Sequence, residues 1–334
     1  MKKLLFFACL MGIVFGPSSC SNDFDLIDTW KDIPVVYALL SPQDTAHYIR
    51  LEKAFLDENT SAFETAQIAD SIYYPDAVVS LVRKSNDQEY FLTRVDGNLE
   101  GYQRDEGIFA DDPNYLYKLK LNGITDSLRL GENYELRINR GDDLPLVTGE
   151  SRIVGALDIK EPGLGQVLSW KYDQDVDFRF RIDDRETAIF FNMGIDIHYT
   201  EGFPGDEVDK VIEWNFGGNI TNEDDLINIE YKIPGESFYT TIAANVDASI
   251  NTIRKIKFLD FKVTAGGQEI YDYIQVAQVN TGITGSQLIP NFTNMSEGYG
   301  IFSSTNSTNR IHLIDGITRD SLENGIYTRN LGFE

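Results

Sequence analysis

The chain is poor in the residues on which most catalytic and metal chemistry depends. Its 334 residues include two cysteines and three histidines. None of His47, His198 and His312 has a second histidine or a cysteine at a ligand spacing, which leaves zinc without a local ligand set. There is no Gly-x-Ser-x-Gly elbow, and Gly285-Ser286 follows a turn without the strand-to-helix context that exposes a reactive hydroxyl. The phosphate-cradling Gly-Lys-Ser/Thr loop is also missing. Positive charge is scarce: 29 basic residues face 53 acidic ones, for a net charge of -24. That field repels phosphate backbones and argues against a nucleic-acid partner. Only 10 residues are proline and 42% are hydrophobic, so the chain can bury enough apolar surface to offset its ordering entropy. Its length suits two domains of roughly 150 residues each.

What the N-terminus does have is an address. Met1-Lys2-Lys3 is a short basic region, and the apolar run Leu4 to Phe15 has the length of a signal-peptide core rather than the roughly 20 residues needed to span a bilayer. Gly16-Pro17-Ser18-Ser19 then lead into Cys20, as in the bacterial lipoprotein signal that is cut before an acylated cysteine. Pro17 departs from the leucine usual three positions before that cysteine. The second cysteine, Cys9, lies inside the signal and would leave with it, so no disulfide is expected. Several acyl chains on Cys20 would make a stable anchor where one alone is marginal. Loss of residues 1–19 removes Lys2 and Lys3 and leaves 27 basic against 53 acidic residues, a net charge of -26. Immediately afterwards, Ser21-Asn22-Asp23-Phe24-Asp25 resembles the acidic signal with which Bacteroidota send lipoproteins to the outer face of the outer membrane.

Residues 20–32 read as an acidic tether. From Ile33 onward, short apolar or alternating runs are separated by turn residues: Val35 to Leu40, Tyr48 to Phe55, Ala77 to Val82, Tyr90 to Val95, Tyr115 to Leu119, Tyr134 to Ile138 and Arg152 to Val154. Seven short strands predict an Ig-like β-sandwich over residues 33–158. In Tyr134-Glu-Leu-Arg-Ile138 the apolar residues share one face and the charged pair takes the other, water-facing one. Ala62 to Ala69 breaks this rhythm as a helix or loop. The breakers Glu161-Pro162-Gly163-Leu164-Gly165 set a boundary near residue 158. Residues 159–334 predict a β-rich second domain: strands over Phe178 to Ile182, Ala188 to Tyr199, Val211 to Phe216 and Lys255 to Val263, and helices over Gly235 to Val246, capped by Ser237, and Gln268 to Val279.

Several stretches together resemble an uncharacterised Bacteroidota family of outer-membrane lipoproteins, a domain-of-unknown-function family often encoded beside TonB-dependent transporters. They are Val35 to Leu40, Leu130 to Ile138 before Arg152-Ile-Val154, and Pro290-Asn-Phe-Thr-Asn-Met-Ser-Glu-Gly-Tyr-Gly-Ile-Phe302. The resemblance implies an Ig-like first domain and a β-rich second one, and it brings no catalytic residue.

Candidate sites follow from residue type. Asp173, Asp175 and Asp177 stand at period two, the oxygen-rich chemistry calcium requires, although no segment reproduces the Asp-x-Asp-x-Asp-Gly loop with its distal Glu. Ordinary solvated acidity is the competing reading, and no other cofactor is expected. Thr45, Ser71, Ser127 and Ser321 sit in Asp-Ser/Thr-x triplets similar to the Bacteroidota O-glycosylation signal, and each triplet also reads as an Asp-led turn. Trp30, Trp170, Trp214 and the tyrosines of 72–74 and 115–117 are sugar-stacking candidates against a default of core packing. Asn291, Asn294, Gly298 and Gly300 mark a candidate contact loop, the glycines allowing unusual backbone angles. The expectation is a non-enzymatic, lipid-anchored protein on the outer-membrane surface that serves as an accessory subunit of an outer-membrane β-barrel complex: a TonB-dependent transporter, or barrel-assembly or secretion machinery. The alternative is a glycan- or nutrient-binding lipoprotein that captures ligand for such a transporter.

Overall fold

The computed structural model describes residues 33–54, 62–121, 127–141, 143–216, 220–221, 227–249, 252–279 and 292–334. Cys20, Ser21, Asn22, Asp23, Phe24, Asp25, Trp30 and Asn291 lie outside them. In chain order the strands are β1 (Ile33–Leu40), β2 (Ala46–Ala54), β3 (Val78–Arg83), β4 (Gln88–Phe91), β5 (Thr93–Asp96), β6 (Tyr115–Lys120), β7 (Asn133–Asn139), β8 (Val147–Arg152), β9 (Leu157–Glu161), β10 (Val176–Ile182), β11 (Phe190–Glu201), β12 (Val208–Asn215), β13 (Ile220–Thr221), β14 (Asn228–Ile233), β15 (Arg254–Gly266) and β16 (Tyr299–His312). The helices are α1 (Ala62–Ala66), α2 (Ala69–Ile72), α3 (Gly235–Asn245), α4 (Gln268–Val279) and α5 (Gly316–Asn324).

The protein is mainly β, a sandwich architecture with a few helices. One long sheet runs β12-β11-β15-β16-β1-β2-β6-β5, with β13 adding to β11. Two smaller sheets, β4-β3-β7-β8 and β14-β10-β9, lie beside it in sequence order. The first encloses an apolar cluster with one half of the long sheet: Val36, Ala38 and Leu40 of β1, Ile49 and Leu51 of β2 and Phe302 of β16 meet Val79, Leu81, Tyr134, Leu136 and Ile138. The second does the same at the other half, where Phe178, Phe180 and Ile182 meet Phe191, Ile195, Leu259 and Phe261, with Trp170 and the α3 residues Phe238, Tyr239 and Ile242 closing the cluster. Burying an aromatic or branched side chain of this kind contributes roughly 1.5–3 kcal/mol, so the period-two apolar residues dictate which face each strand turns inward.

The two clusters change over between Ile153 and Val154, and the expected boundary at residue 158 falls inside β9. The long sheet does not stop there, because β16 from the far end of the chain pairs parallel with β1 and antiparallel with β15. On the inward face of β16, Phe302 belongs to the first cluster, but Ser304 and Asn306 next to it are polar and buried. Ser304 Oγ donates to Arg152 O (2.7 Å) and accepts from Val154 N (3.0 Å), and Asn306 Nδ2 donates to Gly155 O (2.7 Å). A polar seam thus separates the two apolar clusters and satisfies the backbone of the segment crossing between them.

Several local expectations change. Tyr90 to Val95 is two strands, because the chain leaves the four-stranded sheet after Phe91 and joins β6 at Thr93. Arg152 is the last residue of β8, and Ile153-Val154 lie beyond it. Glu135 is 8% exposed rather than water-facing, since Lys84 (2.7 Å) and Arg137 both cover its carboxylate. Helix α3 starts at Gly235 with Pro234 in the cap position and no side-chain cap, so Ser237 lies inside the helix.

Candidate functional site

Alternation along β1 sends Val36, Ala38 and Leu40 into the core and leaves Val35, Tyr37 and Leu39 on the opposite face of the long sheet. Strand β1 is central, with partners on both edges, yet Tyr37 and Leu39 are 43% and 46% exposed. An apolar face on a central strand is normally covered, so this opening draws attention. Across the ladder, Tyr37 pairs with Arg50 and Val35 with Glu52. Helix α1 and the 104–109 loop stand over this part of β2 and leave a cavity of about 520 Å³. Its apolar lining is Val35, Tyr37, Ala54, Ala66, Ile108 and Phe109, and its charged lining is Arg50, Glu52, Lys53 and Arg104.

The charged groups are organised. Glu52, 8% exposed, accepts on Oε1 from Arg50 Nη1 (3.0 Å) and lies 2.9 Å from Arg104 Nη1. Arg50 Nη1 also reaches Asn114 Oδ1 at 3.0 Å, Arg104 Nη1 reaches the Tyr73 hydroxyl at 3.3 Å, and the Arg104 guanidinium lies 4.9 Å from the Phe109 ring centre. Lys53 sits over the ring of Tyr74 at 4.8 Å. Burial, reinforced by the neighbouring Tyr273 hydroxyl of α4 and by Glu52, pushes the Tyr37 phenol above its ordinary pKa. The Tyr73 phenol is also raised, by burial first and then by Glu52, with Arg104 opposing. Two guanidinium groups therefore share one carboxylate at the base of a partly apolar concavity. Such a site can orient an anionic group while sheltering a hydrocarbon.

A second cavity of about 570 Å³ opens at the seam between the two clusters. Its lining is mostly neutral: Gln43, Ser127, Asn306, Ser307 and Thr308 beside Leu130 and Leu157. Gln43 and Ser307 bond each other across it, the Ser307 hydroxyl donating to Gln43 Oε1 at 3.0 Å and Gln43 Nε2 donating to the Ser307 carbonyl. Asn306 is committed to Gly155, so this cavity carries less unspent polar chemistry than the one over β1 and β2.

The residues singled out from sequence do not converge on either cavity as a group. Asp173, Asp175 and Asp177 are exposed, in the turn before β10 and in its first residues. Among the described residues, no group of three or more His, Cys, Asp or Glu side chains is arranged to hold a metal ion. Thr45 is exposed at the turn into β2; Ser71 and Ser321 are half-buried in α2 and α5; Ser127 is half-buried at the second cavity. The candidate contact loop turns inward. Asn294 Oδ1 accepts from Phe302 N (2.9 Å) and its Nδ2 donates to Phe302 O (2.7 Å), while a Cβ on Gly298 or Gly300 would lie 2.1 or 1.8 Å from the carbonyl oxygens of Pro34 and Val36. Tyr299, 44% exposed, is the large side chain that this loop offers to solvent.

Of the described sugar-stacking candidates, Trp170, Tyr73, Tyr74 and Tyr117 lie in the core, while Trp214 and Tyr115 are half-buried. Trp170 is fully buried, stacked on Phe238 at 4.8 Å and near Trp214 at 6.1 Å; Tyr73, Tyr74 and Tyr117 are at most 4% exposed. His312 is buried with Nδ1 2.9 Å from Gln166 O and its ring edge-on to Phe261, and His198 stacks on Phe258 at 4.3 Å. Sequence reading missed the Arg50, Glu52 and Arg104 group. A faint signal was there: Arg50 and Glu52 are two apart on a strand and share a face. Nothing local announced Arg104.

Residues 22–311 match the family model described as a domain of unknown function, DUF4249, and the chain belongs to that family. No curated protein matches the sequence. Among solved structures, Escherichia coli alpha-2-macroglobulin activated by porcine elastase is similar over 85% of this chain and 20% of its own, at 9% identity and a TM-score of 0.22. A bacterial ice-binding adhesin is similar over 85% of this chain and 66% of its own, at 10% identity and a TM-score of 0.18. The FN1-FN3 domains of chicken CNTN1 are similar over 84% and 66%, at 12% identity and a TM-score of 0.17. The chain thus spans a fifth of the first of these and just under two thirds of the other two.

Proposed function

We propose that this DUF4249 chain is a non-enzymatic, lipid-anchored accessory protein on the outer-membrane surface, whose β body contacts an outer-membrane β-barrel complex of the transport, barrel-assembly or secretion kind. The observation that carries the reading is the length of the tether. Only residues 21–32 separate Cys20 from the first residue of β1, and β1 lies in the middle of the long sheet. Twelve residues reach at most about 40–43 Å when fully extended, so an acylated Cys20 holds the whole body within contact distance of proteins embedded in the same membrane. A chain whose residues 20–334 carry a net charge of -26 is meanwhile repelled by anionic head groups, which favours protein contacts over lying on lipid. Purification of the native chain from detergent-solubilised outer membrane, after mild cross-linking, should return a stoichiometric barrel protein. Recovery of the chain alone overturns the docking reading, and mass spectrometry showing a bare Cys20 thiol removes the anchor on which it stands.

The cavity over β1 and β2 favours a second reading, in which the protein captures a ligand for a neighbouring transporter. Its volume lies within the range of small-molecule sites, and its mixture of apolar wall and fixed charge is what such sites use for affinity and orientation.

A further inference from the structure

We infer that the cavity over β1 and β2 binds a small amphipathic anion, an organic acid whose carboxylate meets Arg50 and Arg104 and whose hydrocarbon lies along Val35, Tyr37, Ile108 and Phe109. The inference rests on the capture reading and gives it a ligand class. Charge balance carries it furthest. The lining holds Arg50, Lys53 and Arg104 against Glu52, an excess of two positive charges in a chain whose net charge is -24. The surplus is concentrated in a concavity with apolar walls, where charge acts over a lower effective dielectric and attracts an opposite charge more strongly.

Geometry selects the class further. Each guanidinium carries five N–H donors, and the contacts with Glu52, Asn114 and Tyr73 use a single nitrogen, Nη1, of each. Glu52 fixes the two groups beside each other, so an incoming carboxylate meets two donors that are already oriented and loses little side-chain entropy. The remaining wall cannot serve a neutral polyol in the same way, because Val35, Ala54, Ala66, Ile108 and Phe109 bring no hydrogen-bonding side-chain atom. Those side chains suit a short aliphatic or aromatic tail. Tyr37, Ile108 and Phe109 are 43%, 52% and 36% exposed, so such a tail would cover apolar surface that is open to water.

The test is isothermal titration of the mature chain, residues 20–334 purified in detergent, with octanoate, 1-octanol, octylammonium and maltotetraose, each variant being checked for folding by circular dichroism. Octanoate should bind at one site at least tenfold more tightly than 1-octanol or octylammonium. Arg104→Met should weaken octanoate about tenfold or more, whereas Glu52→Gln, which removes the competing negative charge but keeps an acceptor oxygen for the guanidinium groups that Asn114 and Tyr73 also hold, should tighten it. Opposite signs from two neighbouring substitutions are not expected from general loosening. If either variant fails to fold, Lys53→Met and Phe109→Ser at the cavity rim take its place, and both should weaken octanoate. Octanoate binding no tighter than 1-octanol, or unchanged by the arginine and rim variants, overturns the anion site. Saturable maltotetraose binding with no octanoate binding does so too, while leaving ligand capture standing. Absence of binding by all four probes overturns both.

Discussion

Replacing Gly300 with alanine would place a methyl carbon 1.8 Å from the carbonyl oxygen of Val36, with the Val36 carbonyl carbon and nitrogen at 2.7 and 2.8 Å. All three atoms are backbone of a central strand and cannot rotate aside. Relief requires β1 to move away from β16 by more than 1 Å at that point, which disturbs the pairs from Val35 with Tyr299 to Leu40 with Ser304. Overpacking of this sort costs about 1–3 kcal/mol, and the backbone at φ +121 adds about 1–2 kcal/mol for any residue with a Cβ. The expected loss is therefore about 2–5 kcal/mol, a large share of the roughly 5–15 kcal/mol that holds a domain folded. At a urea dependence of about 3 kcal/mol/M, the midpoint should fall by about 1 M, read by circular dichroism and tryptophan fluorescence together. Gly205 supplies the control: its φ is +99 but no atom lies within 4 Å of an added Cβ, so Gly205→Ala carries the backbone cost alone. A midpoint shift for Gly300→Ala no larger than that for Gly205→Ala would refute the close β1–β16 contact.

Two further outcomes follow from other parts of the structure. Burial holds the His47 imidazole below its ordinary pKa of 6.5, with Asp44 opposing. Below pH 6.5 the unfolded chain therefore takes up a proton that the folded chain refuses. Its contribution is fully present above that pH and declines as pH falls, by at most about 1.4 kcal/mol per pH unit; urea melts of His47→Leu between pH 5 and 7.5 should show a shallower slope than the parent, and parallel slopes would contradict the assignment. At the start of α5, the Asp315 carboxylate accepts from Thr318 N and Thr318 Oγ1, both at 2.8 Å; Asp315→Ala should cost about 1 kcal/mol, whereas no measurable change in the melt would mean that the cap contributes nothing.

Strands whose apolar residues alternate were legible in the sequence, β1, β2, β7, β10 and β15 among them, because one buried face imposes period two. Strand β16 was not. After Phe302 it runs Ser-Ser-Thr-Asn-Ser-Thr-Asn-Arg, which has the composition of a loop, yet it lies between β1 and β15. Its polarity is put to use at Ser304 and Asn306, whose partners are backbone groups about 150 residues away and leave no local trace. The glycines of the candidate contact loop do take unusual backbone angles, and what those angles allow is close approach to β1. The cavity over β1 and β2 was invisible for a related reason: Arg104 meets Glu52 only because the segment between β5 and β6 folds back over β2. Patterning specifies which side of a strand is wet, and it is silent on what a distant loop brings to that side.

The placement of β1 has a mechanical consequence. Six residue pairs bind it to β16 along one edge and six bind it to β2 along the other. Traction applied ahead of Ile33 while the body is held in place loads the strand lengthwise, so both ladders resist in shear and many hydrogen bonds must give way at once instead of peeling off singly.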